Sequence, residues 1–206
     1  MSTLDLIVEM IAPGTRVLDI GCGDGLLIER LFREKACDAR GIEIDMAAVT
    51  RAVAHGLPVM HGDADMDLTH YPEGAFDYVV LSRTLQAVER PREVLRQMLR
   101  ISSRAVVSFP NFGHWLLRWQ LLSGGRMPMT ATWDRPWHET PNIHPCTLAD
   151  FFALCAAEGY AVERWLATDD AGRRTPWRRN AWLANIFAEQ ALFLLASQRV
   201  PALAAT

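Results

Sequence analysis

Between Val17 and Gly25 the chain reads VLDIGCGDG, with glycines at 21, 23 and 25, Asp19 ahead of them and Asp24 among them. Glycine at those places clears side chains from a turn and leaves main-chain N–H groups free to meet a ligand at close range. A polar ligand is therefore expected there. The dinucleotide fingerprint Gly-x-Gly-x-x-Gly needs glycine at 26, but Leu26 stands there and Gly25 falls one place early, which argues against NAD. A second acid, Glu43, follows Gly25 by 18 residues (43 − 25), close to the roughly 20-residue separation that puts a carboxylate on ribose hydroxyls in folds of this kind. One carboxylate can accept from both hydroxyls. Asp45 competes for that role, with helix capping as its plainer task. HGDAD, His61–Asp65, offers further acids in a polar loop. Cys22 has no neighbouring base in sequence and is read as a small tolerated residue of the turn.

These residues need strands and helices to hold them. RVLDI (Arg16–Ile20) reads as a strand, and DGLLIERLFREK has apolar residues at helical spacing. The unit recurs with a strand at Ala39–Ile44 and a helix capped by Asp45 and stopped by Gly56. LPVMHGD, Ala75–Ser82 and Arg104–Pro110 read as the third, fourth and fifth strands, with a helix at Pro91–Ser102. After Pro110 the texture changes: positions 111–145 hold four tryptophans, four prolines and three histidines. His114–Gly124 within this insertion has helical spacing, and Thr147–Gly159 is a capped helix leading back to the sheet. YAVERWLAT and EQALFLLAS are two further strands, joined by an arginine-rich loop and a short helix near Trp182. The expected fold is α/β, a doubly wound, mostly parallel seven-stranded sheet, forming one domain over 1–206 with the insertion at 111–145.

Composition narrows the function. Half of the residues are apolar, 22% are charged and the net charge is −3, which gives no global attraction to nucleic acid or anionic lipid. The basic group Arg173, Arg174, Arg178 and Arg179 reads as a local solvated loop. No apolar run approaches the roughly 20 residues of a membrane span, and the N-terminus lacks the pattern of an export signal, so a cytoplasmic location is expected. Cys22, Cys37, Cys146 and Cys155 show neither a disulfide framework nor zinc-ligand spacing. His114, His138 and His144 read as structural or interface residues, and no catalytic or metal-ligating residue is assigned.

LDIGCGDG resembles the nucleoside-binding turn of class I S-adenosylmethionine-dependent methyltransferases. That resemblance implies S-adenosyl-L-methionine, or S-adenosyl-L-homocysteine, lying on Gly21, Cys22, Gly23 and Gly25. Asp19 would order the loop and face the ligand's ammonium group, with Glu43 and Ile44 at the ribose. Asp63 would sit beside the adenine amino group and Ala64 near the ring, a simple polar loop being the alternative there. LSRTLQAV, with Ser82 and Gln86, would lie beside the sulfonium. Ser82-Arg83-Thr84-Leu85 replaces the Asn/Asp-Pro-Pro-Tyr turn of relatives that methylate bases or amides, and glutamine at 86 is a poor general base.

The insertion is more specific. FPNFGHWLLRWQLLSGGRMPMT (Phe109–Thr130) and WHETPNIHPCTLADFFALC (Trp137–Cys155), with GIEID, LQAV and EQALFLL, closely resemble the methionine biosynthesis protein MetW family over about residues 4 to 196. The resemblance implies a methyltransferase-like protein that acts beside a homoserine O-acyltransferase. An insertion rich in Trp, Met and Arg suits a protein interface, the alternative being a roof over the cleft. An autonomous small-molecule methyltransferase and a ligand-binding regulator without an enzyme partner stay open as other readings.

Overall fold

In a computed structural model, which describes residues 2–197, the chain builds one seven-stranded sheet in the order β3-β2-β1-β4-β5-β7-β6. Helix α1 (Thr3–Met10) precedes β1 (Arg16–Ile20), α2 (Leu26–Lys35), β2 (Asp38–Glu43), α3 (Met46–Ala54) and β3 (Val59–His61). Next come the single turn α4 (Ala64–Asp67), β4 (Phe76–Ser82), α5 (Pro91–Ile101) and β5 (Ser102–Pro110). The chain finishes with α6 (Trp115–Gly124), α7 (Leu148–Glu158), β6 (Tyr160–Thr168), α8 (Ala181–Phe187) and β7 (Gln190–Ser197). Strands β1 to β5 pair in parallel, and β7 pairs antiparallel with both β5 and β6.

The central strands read as continuous apolar runs because they are buried on both faces. Side chains alternate along a strand. Leu18, Val79, Val107 and Phe193 therefore join a core layer with Leu95, Met98 and Phe151 of α5 and α7. Their neighbours Val17, Val80, Val106 and Leu192 join the opposite layer with Leu6 and Ile7 of α1 and Leu27 and Leu31 of α2.

Several boundaries differ from the sequence reading for local reasons. Helix α2 starts at Leu26 rather than Asp24, because Gly25 at φ +81° is left-handed and stands outside the helix. Helix α1 was not read from the sequence, although Ser2 and Asp5 form a reciprocal capping box at its start. Its buried residues Leu6, Ile7, Val8 and Met10 roof the sheet, and Arg30 of α2 holds Asp5 at 2.6 Å. Asp45 caps α3 by accepting from the Ala47 N–H at 2.9 Å. In the arginine-rich loop, Arg173 pairs with Asp169 and Arg174 with Glu9. The side chains of Arg178 and Arg179 and the positions after 197 lie outside the described residues. No helix among the described residues is long and apolar enough to cross a membrane.

Candidate functional site

The C-terminal ends of β1, β2 and β3 open onto a cleft of about 200 Å³. Gly21, at φ +67°, leaves β1, and its N–H donates to the Ile42 carbonyl of β2 at 2.8 Å. A Cβ at Gly21 would sit 2.6 Å from Thr84 Oγ1, so only glycine lets the β1 turn and the segment after β4 approach this closely. Glu43, the last residue of β2, ties the turn down: its Oε2 accepts from Gly23 N–H at 2.8 Å and its Oε1 from Asp45 N–H at 2.9 Å. Each oxygen keeps a lone pair for a ligand hydroxyl. Glu43 also lines the cleft. Asp45 spends its carboxylate on the α3 cap.

Electrostatics set the kind of ligand the cleft suits. Glu43, Asp63 and Asp65 line it, and no cationic side chain does. Asp19 is 3% exposed, and no donor from the described residues reaches its carboxyl. Burial, and then the negative charge of Glu43, push its pKa up to about 8. A buried acid beside another acid with no compensating cation is a place where a positive ligand group restores balance. The same two causes, burial and the charges of Asp19 and Glu43, push the Cys22 thiol up to about 12, so it stays protonated and is no nucleophile.

The structure gathers Gly21, Glu43, Ile44, Asp63 and Ala64 around the cleft, together with Gly62, Asp65, Thr84, Ala87 and Val88. Asp19, Cys22, Gly23 and Gly25 belong to the β1 end and its turn without lining the cavity. Asp63 caps α4 through the Asp65 N–H at 2.8 Å, which adds a helix turn where the sequence suggested only a loop. Ser82 and Gln86, expected beside the ligand, are not among the residues that line this cavity. Arg83 is left-handed at φ +60°, which reverses the chain at the strand end. Ser82 pairs in register with Ser108 of β5, and their hydroxyls lie 3.1 Å apart. Ala87 N–H then bonds to the Thr84 carbonyl at 2.9 Å, in a turn whose Thr84, Ala87 and Val88 line the cleft while Gln86 is fully buried away from it. LSRTLQAV contributes Thr84, Ala87 and Val88 to the cleft lining, with Leu85 and Gln86 buried.

Gln86 joins that segment to the insertion. Its Nε2 donates to the Pro110 carbonyl at 2.9 Å, and its own carbonyl accepts from His144 N–H at 3.0 Å. The His144 ring lies 3.1 Å from the Glu89 carbonyl. The segment after β4 thus has the cleft on one side and residues 110, 144 and 146 on the other. The insertion is rooted by Asn111, whose Nδ2 donates to the Asn185 and Ala188 carbonyls at 3.0 and 2.8 Å. Its outer surface is apolar: Trp115, Trp119 and Leu122, at i, i+4 and i+7 on α6, are 48, 59 and 80% exposed. His114 is buried, and burial holds its pKa below the usual imidazole value. Among the described residues no group of three or more His, Cys, Asp or Glu is placed to hold a metal ion.

The sheet order with its final antiparallel strand, and a cleft at the β1 glycine turn, define a protein of the class I S-adenosylmethionine-dependent methyltransferase fold. A methyltransferase of that cofactor class from Mesorhizobium loti superposes with a TM-score of 0.67 at 18% identity, covering 95% of this chain and 98% of its own. A chain from the complex between the Haloferax volcanii Trm112 methyltransferase activator and a methyltransferase superposes with a TM-score of 0.68 at 16% identity, covering 94% and 88%. At these identities the likeness concerns the fold. Within that class, the chain belongs to the methionine biosynthesis protein MetW family, whose model matches residues 2–195. The bifunctional methionine biosynthesis protein MetXA/MetW of Rhodopirellula baltica is 33% identical over 178 residues, 82% of this chain and 29% of that protein. The ubiquinone biosynthesis O-methyltransferase of Hahella chejuensis is 33% identical over 105 residues, 48% of this chain and 44% of its own length. The chain spans less than half of the length of these curated relatives.

Proposed function

We propose that this protein binds S-adenosyl-L-methionine or S-adenosyl-L-homocysteine in the β1–β2–β3 cleft and acts in methionine biosynthesis as the partner of a homoserine O-acyltransferase, docking through the 111–145 insertion. The observation that carries the ligand is the acid-lined cleft, with Asp19 buried and unpaired beside it at the end of β1, a setting that fits a cationic nucleoside and repels a pyrophosphate. Asp19 and the glycine turn receive the amino-acid end. Glu43 receives the ribose hydroxyls, and Asp63 with Ala64 the adenine. When bound, S-adenosyl-L-methionine supplies an electrophilic methyl group; the chain's own contribution is to bind and orient. The partner reading is supported by the family, by the joined name of the Rhodopirellula relative, and by the bare apolar face of α6. The Gln86–His144 contact ties the segment that lines the cleft to the far end of the insertion, which motivates the reading that the pair reports methionine-pathway metabolite levels to the acyltransferase.

The test is co-purification of the acyltransferase with this chain and a rise in its turnover on addition of the chain. In calorimetry, Glu43→Ala should weaken nucleoside binding by about 1.5–3 kcal/mol, the scale of hydrogen bonds to a charged group. Unchanged affinity would remove Glu43 from the site. A second reading, an autonomous methyltransferase, draws on the O-methyltransferase relatives. It requires transfer of labelled methyl to a small molecule without the partner.

A further inference from the structure

A second cavity, of about 180 Å³, is formed by Arg83, Pro110 and two stretches of the insertion, Thr132–Arg135 and Thr140–Asn142. Among arginines whose side chains are described, Arg83, Arg126 and Arg135 make no side-chain hydrogen bond or ion pair, and two of these three line this one cavity. The acid present, Asp134, pairs with neither of them. Arg83 is also held in a left-handed conformation that costs a side-chain-bearing residue energy. Its N–H pays for this by donating to the Ser108 carbonyl at 2.8 Å and to Ser108 Oγ at 3.2 Å. The strain fixes where the arginine leaves the strand end. Trp133 also lines this cavity, and its indole N–H is buried and without a partner among the described residues, which makes its resonance a reporter of changes there.

Arg83 and Arg135 are exposed and solvated rather than paired with a protein acid, so an anion entering the cavity meets two uncommitted guanidinium forks. We propose that the cavity between Arg83 and the Thr132–Asn142 part of the insertion is a binding site for a small carboxylate-bearing molecule. Two arginines and one aspartate leave one net positive charge, matched to a monoanion rather than to a phosphate dianion. Guanidinium planarity suits the two oxygens of a carboxylate. Thr84, the residue after Arg83, lines the first cleft, so the two sites adjoin through one residue of chain.

The probes are sodium propionate and inorganic phosphate, titrated against ¹⁵N-labelled full-length protein without nucleoside or partner, so the result stands apart from the function proposed above. The readout is the Trp133 indole resonance, assigned by its loss in Trp133→Phe. Propionate should shift it saturably, and Arg83→Gln and Arg135→Gln should each raise the dissociation constant tenfold or more while melting as the wild type does. Should Arg83→Gln fail to fold, Arg135→Gln alone carries the test. A shift that never saturates, or that saturates equally in a folded arginine variant, overturns the site. Tighter binding of phosphate than of propionate overturns the carboxylate assignment.

Discussion

Asp19 links the physics of the cleft to a measurement at the residue scale. Its carboxyl is raised from 3.8 to about 8, so the folded chain keeps a proton that the unfolded chain releases. With more protons bound in the native state, stability falls as pH rises from about 4 to about 8 and is fully present only below that window. At about 1.4 kcal/mol per unit, the shift bounds the loss at roughly 4–6 kcal/mol. Asp19→Asn should remove that slope, and urea melts at pH 5 and pH 8.5 would show the variant gaining on the wild type at the higher pH. Parallel curves for both chains would mean that Asp19 already has a compensating partner. In the wild type, a bound ammonium group should flatten the same slope. The sequence made Asp19 legible as an acid at the end of β1. It could not show the missing cation, because that depends on which side chains pack around β1.

Among the elements, periodicity located the strands and longer helices, since burial of both sheet faces and of one helix stripe leaves its mark in residue order. What escaped is short or set by the backbone: helix α1 spans only eight residues despite its capping box, α4 is one turn of acids, and Gln86 lies buried in the loop that follows left-handed Arg83. The segment after β4 is where this matters, because its inner side lines the cleft and its outer side bonds to the insertion. Gln86→Met keeps the buried volume but leaves the Pro110 carbonyl without its side-chain donor. The expected cost is about 1–2 kcal/mol of stability. Amide exchange should quicken at His144, whose N–H bonds to the Gln86 carbonyl, while Val79 and Val80 in central β4 stay protected. Uniform loss of protection would instead make Gln86 a general core residue with no special tie to the insertion.

At the scale of the whole molecule, exposed apolar side chains occur on several flanking helices, and the insertion adds three of the large ones, Trp119 at 59%, Leu122 at 80% and Trp137 at 72% exposed. A contiguous apolar face is costly to leave in water and marks a place for another surface. With a net charge of −3 the chain has little long-range attraction to offer a partner, so association should rest on this burial and should depend weakly on salt. Trp119 and Leu122 lie three residues apart on one side of α6, and neither belongs to the core. Replacing both by serine should change folding stability by no more than about 1 kcal/mol, the usual range for exposed positions. Nucleoside affinity should be unchanged, because the cleft is lined by other elements. Capture of the acyltransferase should drop at least tenfold in the double variant, at low and at high salt alike. Capture retained at full strength by a folded, ligand-competent double variant would move the docking surface off α6, leaving its tryptophans as part of the roof over the adjoining cavities.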